Sequence, residues 1–283
     1  MKNQLKTLAL LGGLSVLLVG AGTLVGGTGN LVVFGAIAVA LNFFSYFFSD
    51  KVVLAMNRAR EVSPREAPRL HAIVQDVAER AGIPKPRVFI MEDDSPNAFA
   101  TGRNPQHGVV AVTTGIMNIL SERELRGVIA HEIAHIKNRD ILIASVAAMI
   151  ATAISIIASV ARWAAIFGGP RDDDEGGNPI ALIAFAIVAP IAATIVQLAI
   201  SRAREYHADA TGARFIGDPE ALARALEKLD LASRRIPLHA AEAAPATASL
   251  FIVNPLSGQS MLRWFSTHPP LPERIRRLRA MAG

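Results

Sequence analysis

Hydrophobic and polar residues are segregated along this chain in whole blocks. No charged side chain occurs between Lys6 and Asp50, a stretch too long for one bilayer crossing of about 20 residues. Gly26-Gly27-Thr28-Gly29-Asn30 interrupts it, which predicts two apolar helices, 7–25 and 31–49, joined by a tight turn. Further uncharged runs cover 141–161 and 180–200, with Pro190 as a kink in the second. Elsewhere the pattern has the shorter periods of a water-exposed fold. Ser63-Pro64 opens a helix to Ala81 with Leu70, Ile73, Val74 and Val77 on one face. Arg87–Met91 and Gly108–Val112 read as short strands, with Asn97–Thr101 as an edge strand or loop between them. Ser121 and Glu124 form a capping box for a helix whose apolar side is Leu125, Val128, Ile129 and Ile136. That helix is expected to run straight on into the apolar stretch at Ile141. Asp218-Pro219 starts another helix to Ser233, and the Ala-rich residues 236–249 read as a connection. Pro272 to Met281 is a final helix whose Arg274, Arg276, Arg277 and Arg279 read as a solvated or headgroup-facing side.

The fold class that follows is a multi-pass α-helical membrane protein of four spans with a cytoplasmic α+β domain. Residues 1–50 are a transmembrane hairpin and 51–140 a soluble α+β part. Residues 141–200 are a second hairpin with an external loop at 168–178, and 201–283 a soluble helical part. Composition agrees: 51% of residues are hydrophobic, 19% are charged, and the mean hydropathy is +0.34. Lys2 and Lys6 before the first apolar run would suit a cleaved leader, but a second apolar run follows instead of polar mature sequence. Orientation rests on Lys and Arg near the span ends. Loop 168–178 carries Arg171 against Asp172, Asp173, Asp174 and Glu175, whereas Lys51, Arg58, Lys137, Arg139, Arg202 and Arg204 flank the other side. Both termini and both soluble parts are therefore expected in the cytoplasm, on a cell membrane. The net charge of +5 and pI near 10 reflect these flanks and attraction to anionic lipid, and no nucleic-acid motif accompanies them. The absence of cysteine is compatible with a reducing compartment.

The candidate chemistry is His131-Glu132-Ile133-Ala134-His135. Residues four apart on a helix lie about 40° apart round its axis, so the two histidines can hold one metal ion. Glu132 falls on a flanking face, where it serves a water and not the metal; this is the H-E-x-x-H pattern of zinc peptidases. Such a site needs a third protein ligand and an open position. Two spans return the chain to the same side at Ser201-Arg202-Ala203-Arg204-Glu205-Tyr206-His207-Ala208-Asp209-Ala210. Glu205 and Asp209 share i, i+4 spacing, so one carboxylate can bind metal while the other holds a histidine ring. His207 is the rival ligand, about 200° round from Glu205, and would require the helix to be turned over. An ion transporter would instead bury its acids within the spans.

H-E-I-A-H, a hairpin of spans and then S-R-A-R-E-Y-H-A-D-A resemble the HtpX family of membrane-embedded zinc endopeptidases, within the wider group that includes the type I CAAX prenyl proteases. Asn97-Ala98-Phe99-Ala100-Thr101-Gly102 and Ser266-Thr267-His268-Pro269-Pro270 extend the resemblance over nearly the whole chain. It implies one Zn2+ held by His131, His135 and Glu205, with Glu132 catalytic and Asp209 holding a ligand histidine. It further implies cleavage of damaged or misfolded membrane proteins at a cytoplasm-facing site under envelope stress. Protein substrates and the lipid bilayer are the expected partners. His268, held by two stiff prolines, is a candidate oxyanion donor. Asn97, Ala98, Phe99 and Ala100 form a candidate strand for an extended substrate. No G-x-x-x-x-G-K-[ST] loop is present, so no ATP-driven unfolding is expected.

Overall fold

The computed structural model describes residues 31–147, 202–233, 250–252 and 269–282, with scattered residues between 5 and 19. The apolar runs 148–161 and 180–200, the loop 168–178, the Ala-rich connection and His268 lie outside the described residues.

Helix α1 (Leu31–Met56) is long and apolar enough to cross a membrane. At 1.5 Å per residue it extends about 39 Å, against a hydrocarbon layer of about 30 Å. Its large apolar side chains face outward among the described residues, with Val32 79% and Phe43 59% exposed. The Asn42 amide donates to the Ser15 hydroxyl (2.7 Å) and the Leu11 carbonyl (3.3 Å), which places residues 11–15 beside α1. The helix does not stop at the expected end of the span. It continues to Met56, where Val53 and Leu54 are buried in the soluble core.

That core is built on a four-stranded sheet of order β1-β2-β4-β3. The strands are β1 (Arg60–Glu61), β2 (Arg87–Met91), β3 (Ala98–Thr101) and β4 (Val109–Thr113). Strands β2 and β4 pair in parallel, from Arg87 with Val109 to Met91 with Thr113. They are therefore not a hairpin; β3 is the excursion between them and returns antiparallel on the outer side of β4, forming the sheet edge. One face, including Val88, Ile90, Ala98, Ala100, Val110 and Val112, packs on helices. The opposite face (Phe89, Met91, Phe99, Val109, Ala111) packs on Val53 and Leu54 of α1 and on Leu250 and Phe251. Helix α1 is thus fused into the domain without a linker.

Helix α2 (Pro68–Ala81) begins five residues later than Ser63. The residue before a proline is pushed out of the helical region, and Ala67 sits at φ −132°, ψ 61°. Its end is closed by Gly82 at φ 68°, with the Ile83 N–H returning to the Ala78 carbonyl. Short α3 (Thr114–Ile119) leads to α4 (Glu122–Lys137), whose capping box forms as its sequence requires. Helix α4 does not run into the next apolar stretch. Asn138 caps it, Arg139 takes a left-handed φ of 59°, and a new helical segment begins at 141. Helices α5 (Arg202–Ile216), α6 (Pro219–Ser233) and α7 (Leu271–Arg279) complete the described fold.

Two glycines set how closely the helices approach. A Cβ on Gly127 of α4 would lie 2.6 Å from the Leu222 nitrogen of α6. A Cβ on Gly212 of α5 would lie 2.7 Å from the Ala130 carbonyl group of α4. Glycine costs a helix roughly 1 kcal/mol relative to alanine, and here it lets backbones touch. The approach at Gly212 brings the acidic side chains of α5 onto the H-E-x-x-H turn of α4.

Candidate metal centre and active site

His131, Glu132 and His135 lie on the buried side of α4 and Glu205 on the facing side of α5. Ligating atoms of His131, His135 and Glu205 all fall within 4.8 Å of one another. The two Nε2 atoms are 3.1 Å apart, and the Glu205 oxygens lie 3.6 Å from His131 Nε2 and 3.5 Å from His135 Nε2. Tetrahedral zinc with ligand bonds of 2.0–2.1 Å would separate its donors by roughly 3.3 Å. The donor set therefore fits one such ion. His207 is exposed and points away from the cluster, so the helix phase favours Glu205.

Both rings are oriented from behind. His131 Nδ1 lies 2.8 Å from Asp209 Oδ1, and His135 Nδ1 lies 3.3 Å from Asp140 Oδ2. A proton on each Nδ1, donated to its carboxylate, leaves both Nε2 lone pairs directed at the metal position. Asp209 was legible from its spacing; Asp140 was not. It reaches His135 only because α4 ends and the chain reverses through Arg139, with the Asp140 N–H donating to the His135 carbonyl (3.0 Å).

Arg274 corrects the reading of α7 as a solvated basic face. It is 0% exposed, and its Nε and Nη2 donate to Asp209 at 2.9 and 2.7 Å. Its Nη1 donates to the Ile252 carbonyl (3.2 Å) and lies 3.7 Å from Glu205. Arg276, Arg277 and Arg279 do face solvent and pair with Glu273, Glu220 and Glu227. The missed signal was phase: Arg274 shares the stripe of Leu271, Ile275 and Leu278, and the other three arginines do not.

The electrostatics follow from burial and partners. Burial drives the His131 imidazolium down to about 4, so that ring is neutral. Burial also opposes charge on His135, but Asp140, Glu205 and Glu132 outweigh it and raise its pKa to about 9. Burial would raise Asp209, yet Arg274 and His131 hold it down at about 2. Burial pushes the Glu132 carboxyl up to about 7, partly offset by His135, Arg274 and a bond from the Ala100 N–H.

His131, Glu132, His135 and Glu205 line a cleft with Ala100, Asp140, Ile141, Ala144, Arg204, Leu250 and Ile252. Strand β3 thus borders the site. Its outer edge is partly used, since the Ile252 N–H donates to the Ala98 carbonyl (3.0 Å). The Phe99 side chain packs on the far face against Phe251. Asn97 is buried at the strand's start and ties it to Thr113, whose hydroxyl receives the Asn97 N–H (2.8 Å).

Residues 64–282 match the model of peptidase family M48. The chain belongs to that family. It is 57% identical to a "Protease HtpX homolog" of Thermodesulfovibrio yellowstonii over 281 residues, 99% of each chain. A protein of the same description from Pyrococcus furiosus is 55% identical over 98% of this chain and 95% of its own. One from Desulforapulum autotrophicum is 54% identical over 99% of this chain and 90% of its own. The fold is shared with the crystal structure of S. mikatae Ste24p, at TM-score 0.52 and 20% identity. That match covers 98% of this chain, which spans only 65% of the Ste24p chain. Family and relatives make the chain a metalloendopeptidase. Enzymes of the family use a metal, typically zinc, and the His-His-Glu cluster is where it fits.

Proposed function

We propose that this chain is a zinc-dependent, ATP-independent membrane endopeptidase, with His131, His135 and Glu205 as zinc ligands and Glu132 as the catalytic base. The observation that carries this reading is the convergence of three donors at zinc-like separations beside a buried carboxylate. Bound zinc would supply a Lewis acid for the scissile carbonyl and acidify water. The chain's own residues do the rest. Glu132, a buried carboxylate beside the three donors, is placed to accept a proton from water and return it to the leaving amine. Asp209 and Asp140 hold the histidine rings, and Arg274 holds Asp209. Strand β3 borders the cleft at Ala100 and is the proposed strand for main-chain pairing with an extended substrate, which would compete with Glu132 for the Ala100 N–H; Asn97, Ala98 and Phe99 fix the strand's position. His268 remains the proposed oxyanion donor, on the proline-rich approach to α7.

The substrates we infer are cytoplasmic loops and juxtamembrane segments of damaged or misfolded membrane proteins, in a stress-linked quality-control role. Three features support this. Helix α1 enters the catalytic domain directly, so the site is tethered close to a bilayer surface. Basic residues flank the apolar runs on the side of the site, which supports a cytoplasmic site and cytoplasmic termini. The sequence also contains no P-loop for powered unfolding, so segments already exposed are the accessible ones. The two-hairpin arrangement, 1–50 and 141–200, is part of the same proposal. The test is digestion of a model membrane protein by the full chain in bilayers, with cut sites mapped by mass spectrometry. Cuts in cytoplasmic and juxtamembrane segments, lost on zinc removal, are expected. Cuts mostly deeper than about one helical turn inside a span would overturn the reading.

A further inference from the structure

A second recess lies away from the metal centre, where α1 meets the sheet. It has a volume of about 530 Å3 and is walled by three elements. The end of α1 contributes Phe43, Phe47, Phe48, Asp50 and Lys51; Lys85 comes from just before β2 and Arg87 from its first position; the turn before β4 contributes Arg103, Gln106 and His107. Its two ends differ in chemistry. Phe43 and Phe47 are 59% and 39% exposed on the apolar helix, while the cations gather one to two turns further along.

The cations are placed by the fold. The Arg103 guanidinium lies over the Phe47 ring at 5.5 Å, and its Nη2 donates to His107 Nε2 (2.7 Å). His107 Nδ1 in turn donates to Asn104 Oδ1 (2.7 Å), which fixes the ring so that Nε2 is the acceptor. Lys51 sits over the Phe48 ring at 5.1 Å. Asp50 is the sole acid among the described lining residues, and Arg87 engages it at 3.5 Å as well as Glu61 at 3.6 Å. Lys51, Lys85 and Arg103 therefore give the recess a net positive charge.

We propose that this recess binds the headgroup of an anionic phospholipid, its phosphate among Lys51, Lys85 and Arg103 and its glycerol and upper acyl chains along Phe43 and Phe47. The inference rests on the proposal that α1 spans the bilayer. Given that, depth selects the occupant. Asp50 and Lys51 are the first charged residues after the uncharged run 31–49, before the helix turns into the sheet core at Val53 and Leu54, and headgroups occupy the several ångströms beyond the hydrocarbon edge. Lysine and arginine at that level attract anionic lipid, and aromatic rings beside them suit the interface. A soluble phosphate compound would meet the cations but make no use of the phenylalanine wall. The lipid would bear on α1, β2 and the β3–β4 turn together, and so hold the domain against the membrane.

The test uses the full chain in mild detergent, titrated with dioleoylphosphatidylglycerol and with dioleoylphosphatidylcholine, bound lipid being counted by native mass spectrometry. Lys85→Ala/Arg103→Ala is compared with wild type; both side chains are at the surface and outside the active-site cleft, and retained peptidase activity in detergent verifies folding. We expect selective phosphatidylglycerol binding, weakened about fivefold per cation removed and so roughly 25-fold in the double variant. Phosphatidylcholine binding should not change. Equal binding of the two lipids by wild type, or unchanged phosphatidylglycerol binding by the variant, overturns the site. So does competition by glycerol phosphate at the lipid's own concentration, which would mark a site for soluble phosphate. Alkaline carbonate extraction separates the two failures. A protein washed from membranes loses both the span and this site, whereas one retained without lipid selectivity loses the site alone.

Discussion

Replacing Arg274 with alanine removes the group that holds the second acid of α5. In the folded protein this guanidinium is fully buried and forms a bidentate pair with Asp209, at 2.9 and 2.7 Å. Asp209 is itself 4% exposed, and without Arg274 its remaining partner described here is the His131 ring. Removing one member of a buried ion pair costs about 3–5 kcal/mol, because the other charge is left without compensation. The Asp209 pKa, held down at about 2, would then rise, and a protonated Asp209 no longer accepts the His131 Nδ1 hydrogen bond in the same way. Zinc affinity should fall by about 10–100-fold, the usual effect of loosening the group behind a ligand histidine. Arg274→Lys keeps the charge but not the fork, and should fall between. The assays are zinc competition against a chelator and denaturant unfolding of the full chain. The pH dependence supplies a sign. A depressed carboxylate pKa stabilises the fold above the ordinary value of 3.8 and loses that contribution as pH falls toward about 2. Wild type should therefore lose stability across that window and Arg274→Ala should lose much less. A double cycle with Asp209→Asn should show strong coupling. A folded Arg274→Ala protein with wild-type zinc affinity and no coupling to Asp209 would refute the reasoning.

Four other outcomes are expected. Glu132→Gln should lower turnover by at least about 100-fold while metal analysis still finds one zinc per chain; loss of zinc from a folded variant would show Glu132 to be a ligand. Gly212→Ala should destabilise and weaken zinc binding, because its Cβ would stand 2.7 Å from the Ala130 carbonyl where ordinary contact begins at 3.4 Å. Helix propensity alone predicts the opposite sign, a gain of about 1 kcal/mol, so thermal unfolding decides between them. Asp140→Ala should weaken zinc binding about 10–100-fold by freeing His135, and unchanged affinity would count against that role. Finally, His135 is protonated at pH 7 in the zinc-free protein, its pKa being about 9, and must lose that proton to offer Nε2. Zinc uptake should release about one proton at pH 7, and apparent affinity should rise with pH until about 9. Calorimetry in two buffers of unlike ionisation heat measures the release, and none would contradict the assignment.

What could be read without coordinates was what helix phase carries. The H-E-x-x-H turn and the capping box at Ser121 depend on a period of 3.6 residues within single helices; that period separates Glu205 from His207, and the family resemblance chose between them. The structure brings His131, Glu132, His135 and Glu205 to one cleft. The sheet was only half legible. Strands β3 and β4 are buried at every position and β2 at all but its first, so no alternation marks inside from outside, and nothing local says that β2 and β4 pair in parallel. Asp140 was hidden for a different reason. Five residues beyond His135 it would point elsewhere on a continuous helix, and only a left-handed arginine turns it back. The same break detaches the metal helix from the apolar run at Ile141, so the height of the site above a bilayer cannot be counted along α4. It is set instead by α1, whose final turns are part of the sheet's core. If α1 crosses the bilayer as proposed, the packing of Val53 and Leu54 on Phe89, Met91 and Phe99 sets the distance from the candidate site to the membrane. On the proposal that α1 spans the bilayer, a helix that also packs in this way leaves the domain little freedom to swing, and the proposed substrates would come to a fixed level above the lipid rather than be sought by a mobile head.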